Sequence, residues 1–271
     1  MPDLSPPQVN AKLEIQLWWF TALLIAVNTG LFAWQVLHGM DISNPSTADA
    51  IRWGADYAPL SFLAEPVRLF TSMFFHFGLI HLMLNMWALY IFGSIAEQML
   101  GRMYFIGLYF LAGISGSLLS GYVSIQDTYE LLRIGEASRD LLPSVGAGAS
   151  GAVMGLGAAL TVLSLLPVLP QQRFLLDKKT LVSVMAINLA MGFMISGINN
   201  AAHIGGMLMG AFLAAAWYFG QKIQRAPIVN LASLLLGLAA CWFIYQYCLS
   251  LVAHIAPLWQ ELIEWMNRAA G

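Results

Sequence analysis

Long apolar runs dominate the chain, and short segments between them hold most of its charged and turn-forming residues. A run of roughly 18 to 20 apolar residues is what an α-helix needs to cross a bilayer. Seven such runs predict seven spans, at about 16–37, 77–96, 103–124, 147–167, 180–197, 201–219 and 228–253. We therefore predict an all-α fold, a polytopic membrane bundle of seven helices.

The start of the second span follows from counting, because the chain is apolar from Phe70 onward. Glu97 is the first firm charge after that point, and about 20 residues before it place the start near Phe77. Residues 38–76 then form a long loop. Its Trp, Pro, Asp and Phe residues suit the membrane surface.

Composition agrees with a membrane protein, since 59% of the residues are hydrophobic and only 10% are charged. A soluble protein carries about one quarter charged residues. The net charge of -2 argues against nucleic acid as a partner.

Cys241 and Cys248 lie about 10 Å apart along one predicted helix, which is too far for a disulfide within it. We expect both to be small packing or lipid-facing residues.

The distribution of basic residues predicts the orientation. Seven of the 12 Lys and Arg residues, including all four lysines, fall on one side of the seven-span scheme, which the positive-inside rule marks as cytoplasmic. The N-terminus is then inside and the C-terminus outside. The first residues lack the basic start of a cleaved signal peptide, so this pattern fits a bacterial inner (cytoplasmic) membrane protein.

These predictions divide the chain into four parts. They are a cytoplasmic tail at 1–15, the first six helices at 16–219, the seventh helix at 228–253 and a tail at 254–271. The last tail has apolar residues at helical spacing, which indicates an interfacial helix on the outer face.

Polar residues of chemical interest converge in the outer part of three spans that run in the same direction. The second span carries His81 and Asn85 on one helical face, the fourth carries Ser150 and the sixth carries His203. Polar groups are costly in hydrocarbon, so ionisable residues inside a membrane indicate function. We expect these four side chains to lie close together below the outer surface.

Small residues predict how closely two of these spans approach. Gly151 and Gly155 form one small-xxx-small stripe, and residues 206 and 210 form another. Close packing would bring Ser150 to His203, and an adjacent base is what makes a serine hydroxyl nucleophilic. No carboxylate is available at this depth, so a hydrolase here would work with a Ser-His dyad.

A tetrahedral intermediate also needs hydrogen-bond donors. We expect the Gly and Ala residues at 146–149 to be non-helical, so that a helix begins near Ser150 with unpaired N–H groups. The side chains of His81 and Asn85 would add further donors.

Other interpretations stay open at this point. Taken alone, Ser150 would bond a backbone carbonyl, His76 would sit at the interface, and Asn199 and Asn200 would be loop residues. Metal or haem binding by the histidines at 76, 81 and 203 suffers from awkward spacing and from the lack of a thiolate or carboxylate ligand. We therefore predict no metal and no cofactor. Transport lacks the usual inverted repeats and buried midplane charges.

Several motifs together resemble the rhomboid intramembrane serine proteases. They are EPVR at 65–68, HFGLIHLMLN at 76–85, EQMLG at 97–101, GASG at 148–151 and AHIGGMLMG at 202–210. The resemblance implies cleavage of transmembrane segments of other membrane proteins within the lipid bilayer. It also implies that residues 16–219 are a six-helix catalytic core and that 228–253 is one additional C-terminal transmembrane helix. It implies Ser150 as nucleophile and His203 as base, with His81 and Asn85 stabilising the oxyanion.

The same resemblance makes His76 the leading histidine of its motif and Gly148 part of the serine motif, both as accessory residues. It also marks two departures. Val67 stands where the family usually has Trp before Arg, and Met154 stands where an aromatic residue often packs on the histidine. We expect Met154 to alter the orientation of the base without abolishing activity. The alternative is a catalytically inactive rhomboid-like protein that binds transmembrane clients.

Overall fold

The computed structural model describes residues 17–135, 141–169, 177–194 and 199–270. The predicted tail at 1–15 therefore lies outside the described residues. Within the described residues a helix of at least 16 residues stands at each of the seven predicted places. They are α1 (Trp19–Leu37), α5 (Leu79–Leu100), α6 (Arg102–Ile134), α7 (Ser150–Leu165), α8 (Lys178–Met194), α9 (Asn200–Lys222) and α10 (Ala226–Ala270).

Five of the described helices are long and apolar enough to cross a membrane, namely α1, α5, α6, α9 and α10. The helix α7 is apolar but shorter, with 16 residues. Its first residue is Ser150, the candidate nucleophile. The fold is a helical membrane bundle, as predicted.

Two helices are longer than the bilayer rule predicted. α6 continues to Ile134, and α10 runs without a break through the predicted outer tail to Ala270. The two extensions hold each other, because Trp259 is fully buried and its Nε1–H donates to Oγ1 of Thr128 at 3.1 Å. A helix can continue beyond the hydrocarbon when a packing partner stabilises the extension. Here the extensions of α6 and α10 stabilise each other.

The predicted surface loop at 38–76 is an ordered, compact segment. It contains α2 (Thr47–Arg52), β1 (Asp56–Tyr57), α3 (Ala58–Leu63), α4 (Arg68–Thr71) and a 3-10 turn (Ser72–Phe74). Ser46 and Asp49 form a capping box at the start of α2. Arg68 is buried and donates to the carbonyl oxygens of Ile51 and Ala55 at 2.7 and 3.0 Å. One guanidinium thus ties three parts of the loop together.

Glycines bring α7 and α9 into direct backbone contact in the centre of the bundle. A methyl group on Gly206 would overlap the carbonyl oxygen of Gly151, and one on Gly210 would overlap that of Gly155. The predicted small-residue stripes therefore do meet. α6 joins the same centre, since a Cβ on Gly116 would lie 2.6 Å from the carbonyl oxygen of Ala202.

A buried carboxylate holds the start of α1 at the opposite end of the bundle from Ser150. Glu97 accepts the backbone N–H groups of Phe20 and Thr21 at 3.1 and 2.8 Å, and the Thr21 hydroxyl at 2.8 Å. The first N–H groups of a helix have no intrahelical acceptor, so a carboxylate there satisfies them and complements the helix dipole.

A short antiparallel pair connects the loop at 38–76 to the segment that precedes α7. β1 pairs with β2 (Val145–Gly146), with Asp56 opposite Gly146 and Tyr57 opposite Val145. Asp56 is buried and accepts a hydrogen bond of 2.5 Å from the Ser61 hydroxyl. Burial raises the pKa of Asp56 to about 6, against the lowering effects of that hydrogen bond and of the Arg68 charge.

Both cysteines are buried and free, so they are packing residues as the sequence indicated.

Candidate active site

Ser150 is the first residue of α7, as expected from the Gly and Ala residues before it. Gly148 has a φ of +116°, a backbone conformation that residues with a side chain rarely adopt. This conformation turns the chain into the helix. The first helical hydrogen bond runs from the N–H of Val153 to the oxygen of Ala149 at 3.0 Å. The N–H groups of residues 150–152 precede that bond, so the helix leaves them available to an acceptor at its N-terminus.

Two hydrogen bonds hold the segment just before Ser150 in place. The N–H of Gly148 donates to the oxygen of Ser72 at 2.9 Å, and the N–H of Ala149 donates to Nε2 of His76 at 3.5 Å. His76 is fully buried. Its ring is therefore enclosed by protein, and it supports the turn that leads into Ser150.

His81 and Asn85 lie against that same turn. A Cβ on Gly148 would lie 3.0 Å from Nε2 of His81 and 3.9 Å from Nδ2 of Asn85. Asn85 donates one N–H to the carbonyl oxygen of His81 at 3.0 Å, within the helix. Both side chains thus border the residue two positions before Ser150.

The hydrogen bond to Nδ1 of His81 defines its tautomer. The backbone N–H of Phe77 donates to that nitrogen at 3.1 Å, so Nδ1 is the acceptor. A neutral imidazole with an accepting Nδ1 carries its proton on Nε2. The nitrogen beside Gly148 is therefore a hydrogen-bond donor.

His203 lies in the first turn of α9 and is buried. Its neighbour Ala202 contacts the first turn of α7, since a Cβ on Gly151 would lie 3.3 Å from the carbonyl oxygen of Ala202. Gly151 and Ala202 therefore contact each other, and they are the neighbours in sequence of Ser150 and His203.

No hydrogen bond joins Ser150 to His203 among the described residues. Nδ1 of His203 is buried and has no hydrogen-bond partner there either, so no carboxylate stands behind this ring within the described part of the chain. Across the same residues, no group of three His, Cys, Asp or Glu side chains has metal-binding geometry.

Met154 lies one turn after Ser150 and is buried in a small apolar cluster. The cluster consists of Met154, Ala158 and Met185 of α8, with Met207 packed against it. Val67, the other departure, is exposed beside the buried Arg68. Arg68 makes its bonds to the carbonyl oxygens of Ile51 and Ala55 with Val67 at the preceding position.

Sequence reasoning missed Asn199, which it assigned to a plain loop together with Asn200. Asn199 is the N-cap of α9: its side-chain oxygen accepts the N–H of Ala202 at 2.9 Å. Asn200 is the first residue of the helix. Asn is among the preferred N-cap residues, so an Asn just before an apolar helical run was the available signal.

Comparison with known proteins agrees with a helical membrane bundle. The family model described as Rhomboid domain matches residues 63–222. Rhomboid protease GluP of Bacillus subtilis is 32% identical over 78% of this chain and 38% of its own length. Rhomboid protease AarA of Providencia stuartii is 27% identical over 93% of this chain and 91% of its own length.

A plant relative extends the similarity beyond bacteria. RHOMBOID-like protein 6, mitochondrial, of Arabidopsis thaliana is 32% identical over 66% of this chain and 53% of its own length. The chain thus spans about half or less of two of these three relatives and nearly all of the third. The family match covers more than half of the chain and includes every helix that carries a candidate residue, so the chain belongs to the rhomboid family.

Proposed function

We propose that the protein is an intramembrane serine endopeptidase that cleaves transmembrane segments of other membrane proteins with a Ser150-His203 dyad. The observation that carries this proposal is the contact between the first turns of α7 and α9, where Gly151 meets Ala202. That contact puts a hydroxyl and an imidazole on neighbouring turns. Two relatives are named rhomboid proteases, which supports the same reaction class.

In the proposed reaction, the Ser150 hydroxyl attacks the scissile carbonyl carbon while His203 removes its proton. Nε2 is the basic nitrogen, since Nδ1 of His203 is fully buried. The C–N bond then breaks, and His203 returns the proton to the leaving amine. Water attacks the acyl-enzyme by the same route and releases the second product. Hydrogen bonds between catalytic groups are often long before substrate binds, which accommodates the missing Ser150-His203 bond.

The oxyanion of each tetrahedral intermediate would be held by donors beside Gly148. Nε2–H of His81 is one, and the second amide N–H of Asn85 is another. The unpaired N–H groups at the start of α7 add backbone donors, and a helix N-terminus favours negative charge. His76 acts through the turn that it supports.

The orientation follows from the basic residues. We propose that the N-terminus is cytoplasmic and that the Ser150 end of the bundle opens to the outer side of the cell inner membrane. The substrate is then a transmembrane helix that enters from the bilayer near that side.

The test is covalent labelling with a fluorophosphonate in detergent, together with cleavage of a model transmembrane substrate. Wild type should be labelled and active, and Ser150→Ala should be neither. Ser164→Ala is the matched control, because Ser164 lies in the same helix and donates to the oxygen of Thr161 at 2.7 Å. It should behave as wild type. The inactive client-binding alternative predicts no labelling of wild type and retained binding of the substrate helix.

A further inference from the structure

Asn199 binds the turn that carries His203 in two ways. Its side-chain oxygen accepts the N–H of Ala202 at 2.9 Å, and its backbone oxygen accepts the N–H of His203 at 3.2 Å. The first N–H groups of a helix are satisfied from outside or by water, so the position of the N-cap residue sets the position of the first turn. His203 therefore depends on where Asn199 is held.

The other end of the same side chain is held by α6. Nδ2 of Asn199 donates to the hydroxyl oxygen of Ser120 at 2.6 Å. This bond joins residues that are 79 positions apart. The cap of α9 is thus anchored to a long helix of the bundle.

Asn199 also contacts the segment that leads to Ser150. A Cβ on Gly146 would lie 3.2 Å from Nδ2 of Asn199 and 4.0 Å from Oγ of Ser120. Gly146 belongs to β2, which is paired with β1 and is followed four residues later by Ser150. One carboxamide therefore contacts the helix of the base, the strand before the nucleophile and a third helix.

We propose that Asn199 is a positioning residue, which sets the distance between His203 and Ser150 by bridging α9, α6 and β2. This inference rests on the proposed function. The backbone contacts between α7 and α9 fix how closely the two helices approach, but they do not cap the first turn of α9, and a helix end frays unless it is capped. Catalytic groups need placement within about 0.5 Å, and an error of about 1 Å can cost a hundredfold in rate.

The experiment measures the second-order rate of fluorophosphonate labelling at Ser150, corrected for the folded fraction, with kcat and KM on a model transmembrane substrate. Asn199→Ala should slow labelling and kcat by about tenfold or more, with KM within about twofold. Asn199→Asp should restore most of both rates, because a carboxylate accepts from the Ala202 N–H and from the Ser120 hydroxyl. Ser120→Ala removes only the bridge to α6 and should give an intermediate loss.

Ser46→Ala is the control for a generic loss of a helix cap, because Ser46 caps α2, outside the candidate site. It should leave labelling unchanged. The inference is overturned if Asn199→Ala labels at the wild-type rate, if Asn199→Asp fails to recover, or if Ser46→Ala slows labelling equally. If Asn199→Ala does not fold, Ser120→Ala decides: a wild-type labelling rate there overturns the bridge. Absence of Ser150-dependent labelling in wild type would instead remove the proposed function itself.

Discussion

The backbone N–H of Phe77 donates a hydrogen bond to Nδ1 of His81 at 3.1 Å. This bond keeps the proton of the neutral ring on Nε2, the nitrogen that borders Gly148. The orientation of a donor beside the start of α7 is therefore fixed by the main chain before any substrate arrives. Preorganisation of this kind is what makes an oxyanion donor effective.

We predict that His81→Ala lowers kcat about ten- to a thousandfold and leaves KM nearly unchanged, because an oxyanion donor acts in the transition state. Asn85→Ala should behave in the same way. Steady-state kinetics on a model transmembrane substrate measure both. A variant defective only in KM, or stoichiometric metal in purified wild type, would overturn the oxyanion role.

Ser150→Ala, His203→Ala and the double variant should all lose cleavage to about the same residual rate. Members of a catalytic unit are not additive, since the loss of one disables the other. The measurement is kcat/KM for the three variants after equal folding has been checked by thermal unfolding. A double variant much slower than either single variant would contradict a dyad.

The sequence predicted the places of all seven helices, because apolar run length is a direct signal of a span. It did not predict the lengths of α6 and α10, since a rule based on hydrocarbon thickness has no information on the Trp259–Thr128 hydrogen bond beyond it. Residue spacing gave the shared face of His81 and Asn85. It could not give the tautomer of His81, which depends on a backbone bond to a loop residue.

The stability of the loop at 38–76 should depend on pH through Asp56. Its pKa is raised to about 6 in the folded protein by burial, from an ordinary value of 3.8. The folded state therefore binds this proton more tightly than the unfolded chain. The resulting stabilisation is complete below about pH 4 and is lost as the pH rises through 6.

Asp56→Asn should consequently have a higher free energy of unfolding than wild type at pH 7.5, by up to about 3 kcal/mol, and therefore a higher unfolding temperature. The difference should vanish near pH 4. Thermal unfolding in detergent across this range measures it. Asp41→Asn is the control of opposite sign. The backbone N–H groups of Asn44 and Ser43 lower the pKa of Asp41, so the stabilisation that its carboxylate contributes to the folded protein is lost as the pH falls. An Asp56→Asn variant that is less stable than wild type at every pH would contradict the assignment.

Gly206→Ala should separate α7 from α9, because a methyl group there would overlap the carbonyl oxygen of Gly151. Overpacking of this kind costs about 1–3 kcal/mol. We expect a lower unfolding temperature and a large loss of fluorophosphonate labelling. Gly30→Ala is the matched control, since no atom lies within 4 Å of a Cβ at that helical position. Equal effects of the two substitutions would argue against a close α7–α9 contact.

The carboxylate at the start of α1 imposes an order of assembly. Glu97 lies 76 residues after Thr21, whose N–H it accepts, so a growing chain completes α1 long before this acceptor exists. During that interval, water at the membrane surface has to satisfy the first N–H groups of α1. When α5 is completed, the carboxylate displaces that water and locks the two helices together. Both partners of this contact precede Ser150 and His203 in the chain, so the candidate dyad is synthesised only after all the groups that join α1 to α5.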